Sequence, residues 1–157
     1  MALKQDFWDE ARSDRCGYGD AMSELSPAAE HAISAVQAAF QRIHDEVFRG
    51  EALENENLEV EVLFAAELES DFGTQVALVL ITPWAMNGMV LPGRGLPEGF
   101  GVAGVHRSFT AMELDGVGSY AQITLVGDVS KYGSQQQART IAQSLIPVLL
   151  AGLTGEA

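Results

Sequence analysis

Residues 58–81 read "LEVEVLFAAELESDFGTQVALVLI", and the period of this stretch decides the fold class. Leu58, Val60, Val62 and Phe64 fall on one side of an extended chain, and Glu59 and Glu61 on the other. That alternation predicts a half-buried strand with a solvated acidic face. "ESDFG" then reads as a turn, and "TQVALVLI" as a second strand, apolar on both faces and therefore central. Two strands joined so closely form a hairpin, which makes the sheet antiparallel.

Working toward the N-terminus, the period changes. Ser26-Pro27 suits a helix start, because Ser can cap the free N–H groups and Pro in the first turn gives up only an N–H that would be unpaired anyway. Ile33, Val36, Phe40, Ile43 and Val47 follow at steps of three and four, which predicts one apolar stripe on a helix from Pro27 to Phe48, stopped by Gly50. Residues 1–25 are expected to be a partly ordered segment, with a short helix around Phe7, Trp8 and Ala11, and residues 26–157 a single domain.

Toward the C-terminus, Thr82-Pro83 should end the central strand, since Pro cannot donate to the ladder. Residues 92–104, rich in Gly and Pro, read as a loop. "VHRSFTAMEL" and "SYAQITLVG" read as two further strands around the turn "DGVG". Ser134 with Gln137 resembles a capping box. It opens a last helix with Ala138, Ile141, Ala142, Leu145 and Leu149 on one face, and Pro147 is expected to kink or end it. The order helix, strands, helix predicts a single-domain α+β two-layer sandwich: a mostly antiparallel sheet of four to five strands with N- and C-terminal helices packed on it.

Charge narrows the function. The 157-residue chain carries a net charge of −13, and from Asp45 to Asp71 there are ten acids against one base, Arg49. Such a surface repels nucleic acid and anionic membranes. It either attracts a basic peptide or only keeps the protein soluble. The apolar runs "VALVLI" and "LIPVLLAGL" are too short to span a bilayer, and the start "MALKQDFWDEARSD" has no apolar leader core, so no membrane insertion and a cytoplasmic location are expected. The single cysteine, Cys16, cannot form an internal disulfide or a multi-cysteine metal site, and nearby acids do not activate its thiol.

No constellation for catalysis emerges. "GFGVAG" (99–104) fits G-x-G-x-x-G, but a dinucleotide site needs a strand before it and a helix after it, and here a loop precedes and a strand follows. His31 and His44 read as surface residues on a helix flank, and His106 as a strand residue, with no metal-ligand spacing among them. There is no nucleophile elbow, and solvated carboxylates make poor general acids. The expectation is a non-enzyme with no cofactor and no metal.

What stands out is "TPWAMNGM" (82–89). One reading is a structural plug, with Trp84, Met86 and Met89 filling space under the following loop. The other is an adaptable apolar surface, since Trp is a typical anchor at interfaces and Met repacks around varied partners, with Asn87-Gly88 as a positive-φ turn presenting them. With Glu59 and Glu61 as an acidic rim, the patch suits a peptide carrying apolar and basic residues.

The stretch "LVLITPWAMNGMVLPG" (78–93) resembles the signature of the HybE-like [NiFe]-hydrogenase assembly chaperones: a strand ending in T-P-W, then M-N, an apolar pair and L-P. The likeness extends from the helix before "LEVE" through "GSYAQITL" to "YGSQQQA" at the last helix, over residues 26–150. Ala85 stands where the family usually has an aromatic and Gly88 where a larger apolar residue is common; the smaller residue at 85 is expected to open or reshape the patch. The resemblance implies a cytoplasmic maturation factor that recognises the precursor of a hydrogenase small subunit, including its basic twin-arginine signal peptide, before export. The partner-binding residues are then expected to be Pro83, Trp84, Met86, Asn87, Met89 and Leu91, with Glu59 and Glu61. The alternative is a non-catalytic adaptor or structural subunit whose patch is permanently covered.

Overall fold

A computed structural model describes residues 2–3 and 25–155 of the chain. The expected short helix near Phe7 and the thiol of Cys16 lie outside the described residues.

Helix α1 runs Pro27–Ile43 and is capped as its sequence predicts, with the Ala29 N–H donating to Ser26 Oγ at 3.1 Å. It passes without a break into a π-helical turn, His44–Phe48, before Gly50 takes a left-handed φ of 83°. The stripe it buries is narrower than expected. Ala29, Ala32, Val36, Ala39 and Phe40 are buried, whereas Ile33 and Ile43 are only half-covered and Val47 faces solvent. Small alanines let a helix lie close to its neighbour, and the widened π turn rotates Val47 off the stripe.

The strands are β1 (Ala2–Leu3), β2 (Glu61–Ser70), β3 (Gly73–Ile81), β4 (Met86–Leu91), β5 (Gly99–Val102), β6 (Val105–Ser108), β7 (Thr110–Leu114) and β8 (Gly118–Val126). Six form an antiparallel sheet in the order β1-β2-β3-β4-β8-β7, and β5 pairs with β6 in a separate hairpin. The α+β class, the antiparallel sheet and the two helices are as the sequence predicts. The hairpin of β5 and β6 is a correction, because residues 99–102 were expected in a loop. Its turn at Ala103-Gly104 has positive φ at both residues, 52° and 83°, the twist that suits a two-residue hairpin. "VHRSFTAMEL" is accordingly two strands, broken at Phe109, whose ring packs edge-on against Phe100.

β2 begins at Glu61, and Val62 through Leu68 are all buried. The acidic face is therefore not continuous: Glu61 is half-buried, Glu67 buried and Glu69 exposed. An extra residue at Ala65 shifts the register between Phe64 and Ala66, so the alternation read over residues 58–64 does not continue, and Glu67 becomes buried opposite Val76. β3 is central, and Gln75 to Ile81 are buried irrespective of the face they point to.

Helix α2, Gln135–Thr154, packs on β2, β3 and β5. The Gln137 N–H donates to Ser134 Oγ, and Gln137 Oε1 accepts from the Gly133 N–H, one residue earlier than in a strict capping box. Pro147 does not end the helix, which continues to Thr154 and closes on Gly155 at φ 79°. Val79, Gly88 and Ile123 lie side by side on three strands beneath α2. A Cβ at Gly88 would stand 2.8 Å from a Leu149 methyl, so the missing side chain here is what admits the helix.

Candidate functional site

The stretch 82–91 divides into two parts with different fates. Thr82 to Ala85 form a tight turn. The Thr82 N–H and hydroxyl both donate to the Ala85 carbonyl, at 2.9 and 2.8 Å, and Thr82 Oγ1 accepts from the Ala85 N–H at 3.0 Å. The strand ladder is interrupted at Pro83, as the sequence predicts, but it resumes at once as β4.

This corrects the expected Asn87-Gly88 turn. Both residues lie in mid-strand, and Gly88 has no positive φ. Met86 and Met89 are fully buried, and Asn87 and Leu91 nearly so. They support the site from beneath and offer no surface. The small residue at 88 admits the packing of Leu149 on the sheet.

Trp84 alone of the central set reaches solvent, and it is half-covered. Its ring stacks on Phe48, with centroids 4.0 Å apart and planes 10° from parallel, and lies 6.0 Å from the His44 ring. The π turn is what presents Phe48 and His44 together. Such turns are rare and recur at functional positions.

His44 was read as a surface residue, and it is buried. Its Nε2–H donates to Glu54 Oε2 at 2.5 Å, and its Nδ1 has no hydrogen-bond partner. Glu54 Oε1 accepts from the Gly50 N–H at 2.7 Å. The Gly50 N–H, and after it His44, hold the Glu54 carboxyl below its ordinary range. Arg49 pairs with Asp45 one helical turn away, which keeps the Asp45 carboxyl low as well.

Beyond Glu54, the buried Asn55 fixes the loop to the body of the protein. Its Nδ2 donates to the carbonyls of Val129 and Tyr132, both at 2.8 Å, and its N–H donates to the Pro83 carbonyl at 2.8 Å. Pro83 is buried and acts through this carbonyl.

A cleft of about 460 Å³ opens beside these groups, lined by Gln41, His44, Arg49, Gly50, Glu54, Glu56, Leu58 and Glu59. Its walls carry three carboxylates against one guanidinium. Val47 and Leu53, on the segments that form it, are 57 % and 73 % exposed. Glu59 stands on the acidic wall of this cleft. Glu61 does not line it. Arg139 grips it with two nitrogens, Nε at 2.9 Å and a terminal nitrogen at 3.0 Å, and Gln135 Nε2 donates to it at 2.8 Å. It fastens β2 to α2.

The residues missed from sequence are His44, Phe48, Glu54 and Asn55. The spacing of Phe40, His44 and Phe48 at four-residue steps on a helix end was the available signal. The Nδ2 contacts of Asn55 had none, because the two carbonyls it bonds lie more than seventy residues away. Among the described residues no group of three or more His, Cys, Asp or Glu stands together as metal ligands, and no helix is long and apolar enough to cross a membrane.

An antiparallel sheet with terminal helices, a separate hairpin and an acid-walled cleft beside a tryptophan defines a single-domain α+β scaffold. Its family is also defined: the model described as "[NiFe]-hydrogenase assembly, chaperone, HybE" matches residues 31–154, and the chain belongs to that family. The fold is similar to that of the solution structure of HybE from Escherichia coli, with a TM-score of 0.54 and 24 % identity over 76 % of this chain and 77 % of that one. No curated protein sequence matches the chain.

Proposed function

We propose that the protein is a non-enzymatic cytoplasmic chaperone that binds the precursor of a [NiFe]-hydrogenase small subunit, through its basic twin-arginine signal peptide, before export. The supporting observation is the half-buried Trp84, stacked on Phe48 and 6.0 Å from the ring of His44, which lines a cleft together with Glu54, Glu56 and Glu59. An aromatic anchor next to acidic groups suits a segment with an apolar stretch and basic residues. The excess of acids from Asp45 to Asp71 accelerates encounter with such a segment more than it tightens the complex.

The test is binding of the purified protein to a small-subunit precursor, with and without its signal peptide, at low and high salt. Binding that requires the signal peptide and weakens with salt is the expected result. Equal binding of both forms would move the contact to the subunit body and overturn the peptide-reading role. Absence of binding to either would overturn the partner assignment.

A further inference from the structure

We propose that the cleft beside the π turn is a subsite for one guanidinium group of the partner, and that Arg49 is a resident competitor for it. The inference rests on the peptide-reading role given above and names the chemistry of one contact within it.

The hydrogen-bond inventory of the cleft is one-sided. Three side chains bring donors to its walls, and each is turned to a carboxylate: Gln41 and Arg49 to Asp45, and His44 to Glu54. The acceptors are not so engaged. Among the described residues, the carboxylates of Glu56 and Glu59 have neither a hydrogen bond nor an ion pair. His44 lines the same cleft with its side chain only 7 % exposed, and its Nδ1 has no donor. A buried acceptor left without a donor is costly, and a bound N–H group relieves that cost. A guanidinium presents its N–H groups in a planar fork and can serve several acceptors at once, whereas an ammonium is a compact point charge. Two free carboxylates and an imidazole nitrogen therefore suit arginine better than lysine.

Arg49 is the single base between Arg42 and Arg94, and it stands on this cleft. Asp45, which does not line the cleft, holds it in a pair whose side chains are 59 % and 49 % exposed. Ion pairs so exposed are weak, which leaves the guanidinium able to exchange between Asp45 and the free carboxylates. A partner's arginine must then compete with a like charge already at the site. Such a charge rejects weakly basic segments and so serves selectivity. Asp45 is the positioning residue that keeps the competitor aside.

The probe is a short labelled peptide with two adjacent arginines before a run of leucines, titrated into the full chain. In nitrogen NMR spectra of the histidine rings, the His44 Nδ1 resonance should move as it gains a donor, while those of His31 and His106 stay. Glu56→Gln combined with Glu59→Gln should weaken the peptide by more than roughly tenfold, as the loss of charge-assisted bonds predicts. Arg49→Gln should tighten it by about threefold. Asp45→Asn should weaken it by about as much in the native chain and have little effect alongside Arg49→Gln. The matched lysine peptide should bind several-fold more weakly. An unmoved Nδ1, equal affinity for the lysine peptide, or unchanged or weaker binding by Arg49→Gln would each overturn the proposal. The partner is judged separately. A small-subunit precursor that binds the double glutamine variant as tightly as the native chain would overturn this subsite alone. An arginine peptide bound at the cleft of a chain that ignores the precursor would support the subsite and overturn the partner.

Discussion

Trp84 and Met86 are two residues apart, both large and apolar, and do opposite things. Met86 is sealed in the centre of the sheet, while Trp84 lies half in solvent on Phe48. The boundary between them is the Thr82–Ala85 turn. The comparison teaches that the resemblance motif is chiefly a device for interrupting a strand. It lifts one aromatic out of the sheet and returns the chain to the core at once.

The contrast can be broken most severely from the buried side. Met89→Ala should cost about 2–5 kcal/mol of stability in chemical denaturation, because it removes a fully buried side chain from a central strand. Gly88→Val should cost about 1–3 kcal/mol, since its Cβ alone meets Leu149 and Ile123. A thermal melt that shows no loss would mean that α2 can shift to admit the larger side chain. From the exposed side, Trp84→Ala should cost about 1–2 kcal/mol of stability, the stack and part of its burial. It should loosen precursor binding by roughly thirtyfold, as expected of an interface anchor. Intact affinity in the folded variant would assign Trp84 to the scaffold.

Acid should act on the loop and spare β4. The Glu54 carboxyl is held below its ordinary 4.5 in the folded protein, so its contribution is present in full above the unfolded value and is lost as pH falls through the folded one. Protection of the Gly50 amide, measured as exchange relative to its intrinsic rate at each pH, should therefore fall below about pH 4.5 before that of the β3–β4 amides. Glu54→Gln should remove that pH dependence. The smallest effect is expected at the β5–β6 turn. Ala103→Gly should raise stability by about 0.5–1 kcal/mol by relieving a left-handed alanine, measurable as a higher melting temperature.

Periodicity carried much of the fold. The β2–β3 hairpin, both helices, the caps at Ser26 and Ser134 and the hairpin around Asp115–Gly118 were all legible, because each rests on contacts local in sequence. The failures share a cause. The bulge at Ala65, the passage of α2 through Pro147 and the pairing of β5 with β6 are set by neighbours far along the chain. For the site, Trp84 was legible as an unusual residue in an unusual place. The burial of the methionines was one of two open readings, and that of Asn87 was not legible, because an Asn-Gly pair signals a turn only where tertiary pairing does not overrule it. Asn55 was invisible for the same reason, its carbonyl partners being at Val129 and Tyr132.

The π turn at His44–Phe48 has a consequence for how this site could arise. Such a turn is an α-helix holding one residue too many. Deleting one residue between His44 and Phe48 would let the helix close on its regular pitch and put Phe48 three places after His44 instead of four. Phe48 would leave the Trp84 ring, and Gly50 would carry its N–H away from Glu54. The aromatic pair and the carboxylate beside it thus depend on chain length as much as on residue identity. A relative that keeps the tryptophan but lacks that single extra residue would have the same fold and a different mouth to its cleft.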